Sequence, residues 1–304
     1  MKIADLTGSV RTLRVVLLSL SLGLGGCATV VYAPTGKVLT HYATDEVVPY
    51  VESTSDIPLA TCGTGLGQQQ LLASFGRIIG RPHMALVYTG ILTAGCSEAQ
   101  AFSDDLRYLR AARAGRSSDA NDALIAEQNA EALTARRRYQ AFRDMVAIYG
   151  KPGQESTTDS GQPGVVCPEF EGRKDQETYL LGLVTGLQAI FDDTRSGSQV
   201  GVPQNIAPEA ARASQCLDNA KWWGVPEAIQ AAVWSTVPGA LPKGKNAWTA
   251  FAHAEQLANA AGVRLAYALA AATAENLGMM HACARPSATS SPPARRSRHP
   301  RHRR

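Results

Sequence analysis

The stretch MALVYTGILTAGCSEAQAFSDDLRYLRAARA, residues 84–114, decides the fold class. Its first half, Met84–Gly95, is apolar nearly all round, as in a helix buried on every side. Its second half carries Arg107, Arg110 and Arg113 three apart, which reads as a solvated face. Gly115 closes the helix, and Ser117 or Ser118 is the expected N-cap of the next. That second helix runs to about Tyr149, with Leu124, Leu133, Phe142, Met145 and Tyr149 on or near one face. Two helices of about thirty residues joined by so short a link predict an antiparallel αα-hairpin.

The same periodicity extends to both sides. Leu66–Ile79 carries Leu71, Leu72, Phe75, Ile78 and Ile79 at helical spacing and stops at Gly80 before Pro82. Gly150–Pro168 is a Gly/Pro/Ser/Thr loop that separates two helical halves. Beyond it, Asp175–Asp193 reads as a helix, with Gly182 and Gly186 on one face. Each glycine costs about 1 kcal/mol of helix propensity, so close approach by a backbone or a ligand should compensate. Pro208 and Pro226 suit the first turns of two further helices, and Ala247–Ala261 and Val263–Met280 make two Ala-rich ones. The expected fold is all-α, with about eight helices in antiparallel αα-hairpins forming a bundle or a short TPR-like solenoid. No regular tetratricopeptide period is present. Residues 61–284 form this helical domain, residues 27–60 read as an extended tether, and residues 285–304 read as a disordered Arg-rich tail. The tether should begin to pack near Val47–Val51, where a short strand fits.

The N-terminus has the parts of a secretory signal. Lys2, Arg11 and Arg14 precede an apolar run, Val15–Leu24, too short to cross a hydrocarbon core as a helix. The run ends in Leu24-Gly25-Gly26-Cys27, which resembles the lipobox of a bacterial lipoprotein. This reading removes residues 1–26 and makes Cys27 the diacylated first residue of the mature chain. Ala28, in place of Asp, implies the periplasmic face of the outer membrane. Several acyl chains on one cysteine, at about 0.8 kcal/mol per buried methylene, make a stable anchor.

Charge excludes one class of partner. The chain has 30 basic and 26 acidic residues, but the signal and the tail hold much of the positive charge. Residues 27–284 carry 20 basic and 25 acidic side chains, so a nucleic-acid interface is not expected. Five cysteines follow Cys27, namely Cys62, Cys96, Cys167, Cys216 and Cys283. An oxidising periplasm allows bridges, and the odd count leaves at least one thiol over. Cys62–Cys96 and Cys167–Cys216 are the preferred pairs, each joining a loop to the helical region after it, although other pairings are open. No C-x-x-C occurs, which argues against zinc and against a redox couple.

Catalytic patterns fail on inspection. Gly239–Asn246 nearly matches a P-loop, but Asn246 stands where Ser or Thr would bind magnesium and no strand precedes it. It reads as a capped loop between helices. Gly63-Thr-Gly65-Leu-Gly67 lacks the third glycine of a dinucleotide fingerprint and reads as the approach to a helix N-terminus. His41, His83, His253 and His281 have no ligand spacing, and His281-Ala-Cys283 sits at a helix end. Asp192-Asp193 are the nearest general acids, but adjacent acids at a helix end are usually solvated. No enzyme, cofactor or metal is expected.

The aromatic residues are the remaining candidates. Trp222, Trp223, Trp234 and Trp248, all four tryptophans, cluster late in the chain. They fill the core between the last helices or line an apolar pocket of the kind found between bundle helices. On the pocket reading, the apolar helix halves around Met84–Ala94 and Tyr179–Phe191, with Tyr88, Tyr179 and Phe191, supply further wall, and Gly182 and Gly186 leave room for a rigid ligand.

The segments YLLGLVTGLQAIFDD, CLDNAKWWGVPEAIQAAVW and AGCSEAQAF resemble the T-component periplasmic lipoproteins associated with TRAP transporters. The resemblance implies a helical periplasmic protein with repeat-like hairpins. It also implies partnership with a periplasmic ligand-binding protein or transporter component, and transport of a hydrophobic ligand. With the anchor, it leads to the expectation of a lipid-binding transfer protein for a sterol, hopanoid or fatty acid. The alternative is a ligand-free envelope scaffold that uses charged faces such as Arg107–Arg113 and Arg136–Arg138.

Overall fold

The computed structural model describes residues 30–54, 58–157 and 163–279. The signal, Cys27, His281, Cys283 and the Arg-rich tail lie outside the described residues. The described residues are 76% helical, with ten helices and almost no sheet among them, which is the expected all-α bundle.

Its spine is the long hairpin. Helix α4, His83–Arg113, runs about 46 Å at 1.5 Å per residue, and α5, Ser117–Tyr149, returns beside it. Gly115 (φ 70°) makes the reversal and Gly150 (φ 78°) ends α5, both in the left-handed region that favours glycine. Ser117 is the first helical residue rather than a cap; Arg116 holds the cap position without a side-chain bond and pairs with Asp119 at 3.2 Å. Small residues bring the two helices close. A Cβ on Gly90 would lie 2.9 Å from that of Ala141. Helix α6, Arg173–Arg195, lies against α5 and completes a three-helix layer.

The N-terminal part differs most from its sequence reading. Residues 30–42 are helical and pass through a π-helical turn, Ala43–Val47, into Val48–Thr54; the whole run is α1. Over residues 30–54 the extended tether and its short strand are therefore corrected to helix. Pro49 explains the irregular turn. It has no N–H to give the carbonyl four residues back, and the chain absorbs that by widening one turn, with Val48 N–H bonded to the Ala43 carbonyl. Packing begins earlier than Val47–Val51: Gly36 abuts Phe75, Ala43 joins Leu72, Ala85 and Leu86, and Val48 joins Tyr88 and Leu92.

Helix α2, Pro58–Ser74, starts well before Leu66, followed by the short α3, Gly76–Ile79. The glycine run Gly63–Gly67 is thus interior to a helix, which corrects its reading as a helix approach. Gly65 shows why it is tolerated. A Cβ there would lie 2.8 Å from Leu92 Cβ and 2.9 Å from the Thr93 backbone nitrogen, so α2 and α4 meet at glycine. The Cys62–Cys96 disulfide locks the same interface, with Cα atoms 5.0 Å apart. It joins two helices rather than a loop to a helix. Arg81 forks onto Asp144 at 2.7 and 2.9 Å, and His83 Nδ1 reaches the same carboxylate at 2.7 Å, tying the link before α4 to α5. Burial pushes the Asp144 pKa up, but hydrogen bonds from Arg81, His83 and Gln140 outweigh it and hold the group below its ordinary value.

The loop after α5 contains a two-stranded antiparallel hairpin, β1 (Glu155–Thr157) with β2 (Pro163–Val165). The second disulfide, Cys167–Cys216, follows it, as preferred from the sequence. Helices α7 (Ile206–Ala213), α8 (Val225–Thr236), α9 (Ala247–Ala261) and α10 (Leu265–Asn276) pack beyond α6. Pro226 sits in the first turn of α8 as expected, and a short 3-10 turn, Ser214–Cys216, follows α7. Asn246 caps α9 by accepting the Thr249 N–H at 3.0 Å, so the near-P-loop is a capped connection. One continuous core includes Val87, Phe142 and Met145 from the first half and Leu183, Ile229 and Phe251 from the second.

Candidate functional site

A hollow lies where α6, α7, α8 and the end of α10 meet. It has a volume of about 260 Å³. Leu187, Ile190 and Phe191 of α6, Ala207 of α7, and Val233 and Val237 at α8 form its apolar wall. Thr194, Gln204, Thr236 and Asn276 supply a polar margin. The short, Ala-rich α7 presents only Ala207 to the cleft, a side chain too small to fill it. Such a mostly apolar, concave site with few polar groups suits a small hydrophobic ligand.

Of the expected walls, the Tyr179–Phe191 half-helix contributes Leu187, Ile190 and Phe191 to this cleft, and the tryptophans, Tyr88, Tyr179 and the two glycines do not line it. Trp234 borders a shallower hollow beside Ala211 and Pro242, which shares Val233 with the first. Trp222 is fully buried, its indole N–H donating to Gln176 Oε1 at 3.2 Å, and Trp223 packs edge-on against it at 5.4 Å. The Arg173 guanidinium stands 5.5 Å from the Trp222 ring. Trp248 stacks obliquely on Phe251. The tryptophans therefore mainly consolidate the α6–α8–α9 core and do not converge on one pocket.

Gly182 and Gly186 are likewise corrected. A Cβ on Gly182 would lie 2.4 Å from Met145 Cγ, and one on Gly186 would lie 2.6 Å from the Phe142 ring. The space they leave is filled by α5 side chains, so helix packing, not a ligand, offsets their propensity cost. Tyr179 is buried in the same interface, edge-on to Tyr149 and Phe170, and burial pushes its pKa up to about 12. Tyr88 hydrogen-bonds Thr178 at 3.0 Å and joins α4 to α6.

The sequence reading missed a buried charge network beside the cleft. Asp192 is not solvated. It pairs with Arg138 of α5, itself only 7% exposed, and Arg138 also holds Glu98 at 2.8 Å. Asp193 accepts the backbone N–H groups of Val200 and Val202 at 2.8 and 2.7 Å and so shapes the loop into α7. Arg195 reaches Glu131 at 3.0 Å, Glu275 at 3.6 Å and Glu127 at 3.8 Å. Burial pushes Glu131 up to about 7 and Asp192 up to about 6 despite these arginines. The signal was present in the sequence. Two acids in the last turn of a helix oppose its dipole and need compensation. Thr194 and Asn276 of the cleft adjoin Arg195 and Glu275 in the chain, so the network backs the polar margin.

No three His, Cys, Asp or Glu side chains form a metal-holding group among the described residues. No helix among them is long and apolar enough to cross a membrane. The chain matches no family model, no curated protein and no solved structure.

Proposed function

We propose that the protein is an envelope lipoprotein, acylated at Cys27 and held at the periplasmic face of the outer membrane, that binds a small hydrophobic molecule and assists its transfer. The observation that carries the ligand is the apolar cleft walled by Leu187, Ile190, Phe191 and Val233. The two disulfides fit an oxidising compartment. At about 260 Å³ the cleft is just below the usual range of roughly 300–1,000 Å³ for small-molecule sites. That size favours one acyl chain or a short apolar molecule over a whole sterol or hopanoid. A periplasmic ligand-binding protein or transporter component, the partner class of the T-component lipoproteins, would deliver or receive it. The reading assigns no catalytic step, cofactor or nucleic acid.

Titrating the delipidated chain with cis-parinaric acid tests this reading. A saturable rise in probe emission is expected, and Thr236→Trp, which fills the cleft from its half-buried rim, should abolish it without loss of thermal stability. Equal, non-saturable emission with both chains would remove the ligand.

A second reading, a ligand-free interaction protein, has its own observation. Phe102 and Leu109, seven residues apart on one face of α4, are 63% and 40% exposed. It predicts no probe binding, and specific crosslinks from residue 102 to another envelope protein. The charged face at Arg136–Arg138 is a weaker basis, because Arg138 is buried.

A further inference from the structure

Helix α1 carries apolar residues on two faces. Ala33, Gly36, Leu39 and Ala43 face the body, where Gly36 abuts Phe75, with its absent Cβ position 2.8 Å from the ring. The other face repeats at intervals of four, three and four residues through Val31, Thr35, Val38 and Tyr42. Val31 is 57% exposed, Val38 65% and Tyr42 58%. No helix of the described fold covers this stripe. A core-facing helix needs only one apolar face, so the second is available to a surface outside the fold.

The chain names the partner by proximity. Cys27 precedes Val30 by three residues, which span at most about 11 Å when fully extended. An acylated Cys27 therefore keeps the start of α1 within that distance of the lipid headgroups. The exposed Tyr42 ring suits the membrane interface.

We propose that α1 lies along the phospholipid surface with Val31, Val38 and Tyr42 inserted at the headgroup–acyl boundary. This rests on the acylation of Cys27 in the proposed function, and it fixes how the body sits on the membrane. The stripe supplies the second contact that turns a flexible lipid tether into an oriented dock.

The test uses the full chain purified from membranes, with Cys283→Ser and a nitrobenzoxadiazole label at Val38→Cys or, as control, Ser118→Cys. Each is reconstituted in 3:1 phosphatidylethanolamine:phosphatidylglycerol vesicles carrying a nitroxide lipid, and the N-terminal peptide mass reports acylation. For a side chain inserted in the interface, the label at 38 should be blue-shifted and about threefold more strongly quenched than the label at 118. Equal weak quenching at both sites in an acylated chain overturns the orientation alone. A blue shift at 38 that grows with protein density but resists lipid quenching overturns it in favour of a second copy of the chain. An unacylated N-terminus overturns both this inference and the anchor beneath it. Val31→Asp with Tyr42→Asp should reduce the quenching at 38 while circular dichroism stays unchanged, since both side chains are exposed.

Discussion

One nitrogen of Arg138 donates to both carboxylate oxygens of Asp192, at 2.7 and 2.8 Å, and both side chains are buried between α5 and α6. Breaking such a pair leaves an uncompensated charge in a poor solvent. Arg138→Met should therefore lower stability by about 3–5 kcal/mol. Adding Asp192→Leu should recover most of the loss, because no charge is then stranded. Urea denaturation of both variants measures the difference.

The same network predicts an unusual pH dependence. Glu131 titrates near 7 when folded against 4.5 in the open chain, and Asp192 near 6 against 3.8. A carboxyl with a raised folded pKa favours folding while it is protonated. Its contribution is complete below the unfolded value and is lost as pH rises through the folded one. Stability should thus fall between about pH 5 and pH 7.5, where carboxylates held low in the folded state have already ionised. Asp144 acts the other way, and its contribution is lost only on acidification. Glu131→Gln should flatten the neutral-side fall and add on the order of 1–2 kcal/mol at pH 8. Melting temperature against pH, for both chains, is the measurement.

Gly186 tests packing against ligand room. Because Phe142 occupies the space, Gly186→Ala should destabilise by about 1–3 kcal/mol despite its better helix propensity. A compensating Phe142→Leu should restore part of it. A stabilised single variant, read by thermal unfolding, would show that the space is vacant.

Removing the first disulfide should separate the N-terminal elements from the rest. Cys62→Ala with Cys96→Ala opens a loop of sequence separation 34, which should cost about 2–4 kcal/mol. Limited proteolysis should then cut within α2 while the α4–α5–α6 layer stays intact. Uniform loss of protection across the chain would show the bridge to be part of the global core.

Local information carried much of this fold. Residues 84–149 read as a hairpin because helix periodicity and a left-handed glycine are properties of a few consecutive residues, and Gly115 turns where expected. The helix Ala247–Ala261 was legible for the same reason. The candidate site was legible only in its α6 wall, the end of the apolar half Tyr179–Phe191. Its other wall residues come from three separate helices, and no local pattern brings Leu187, Ala207 and Val233 together.

By itself, the sequence determined the helical class, the positions of the main turns and the acidic character of residues 27–284, since each follows from composition or short-range order. Only the tertiary structure decided what faces what. Trp222 became core, Gly182 and Gly186 became contacts for Met145 and Phe142, and Asp192 became the partner of a buried arginine. It also made residues 30–54 helical, because Ala43 and Val48 found apolar surface on α2 and α4. The physical reason is common to all. A side chain's environment depends on the register between helices, and that register is set by contacts between residues distant in the chain.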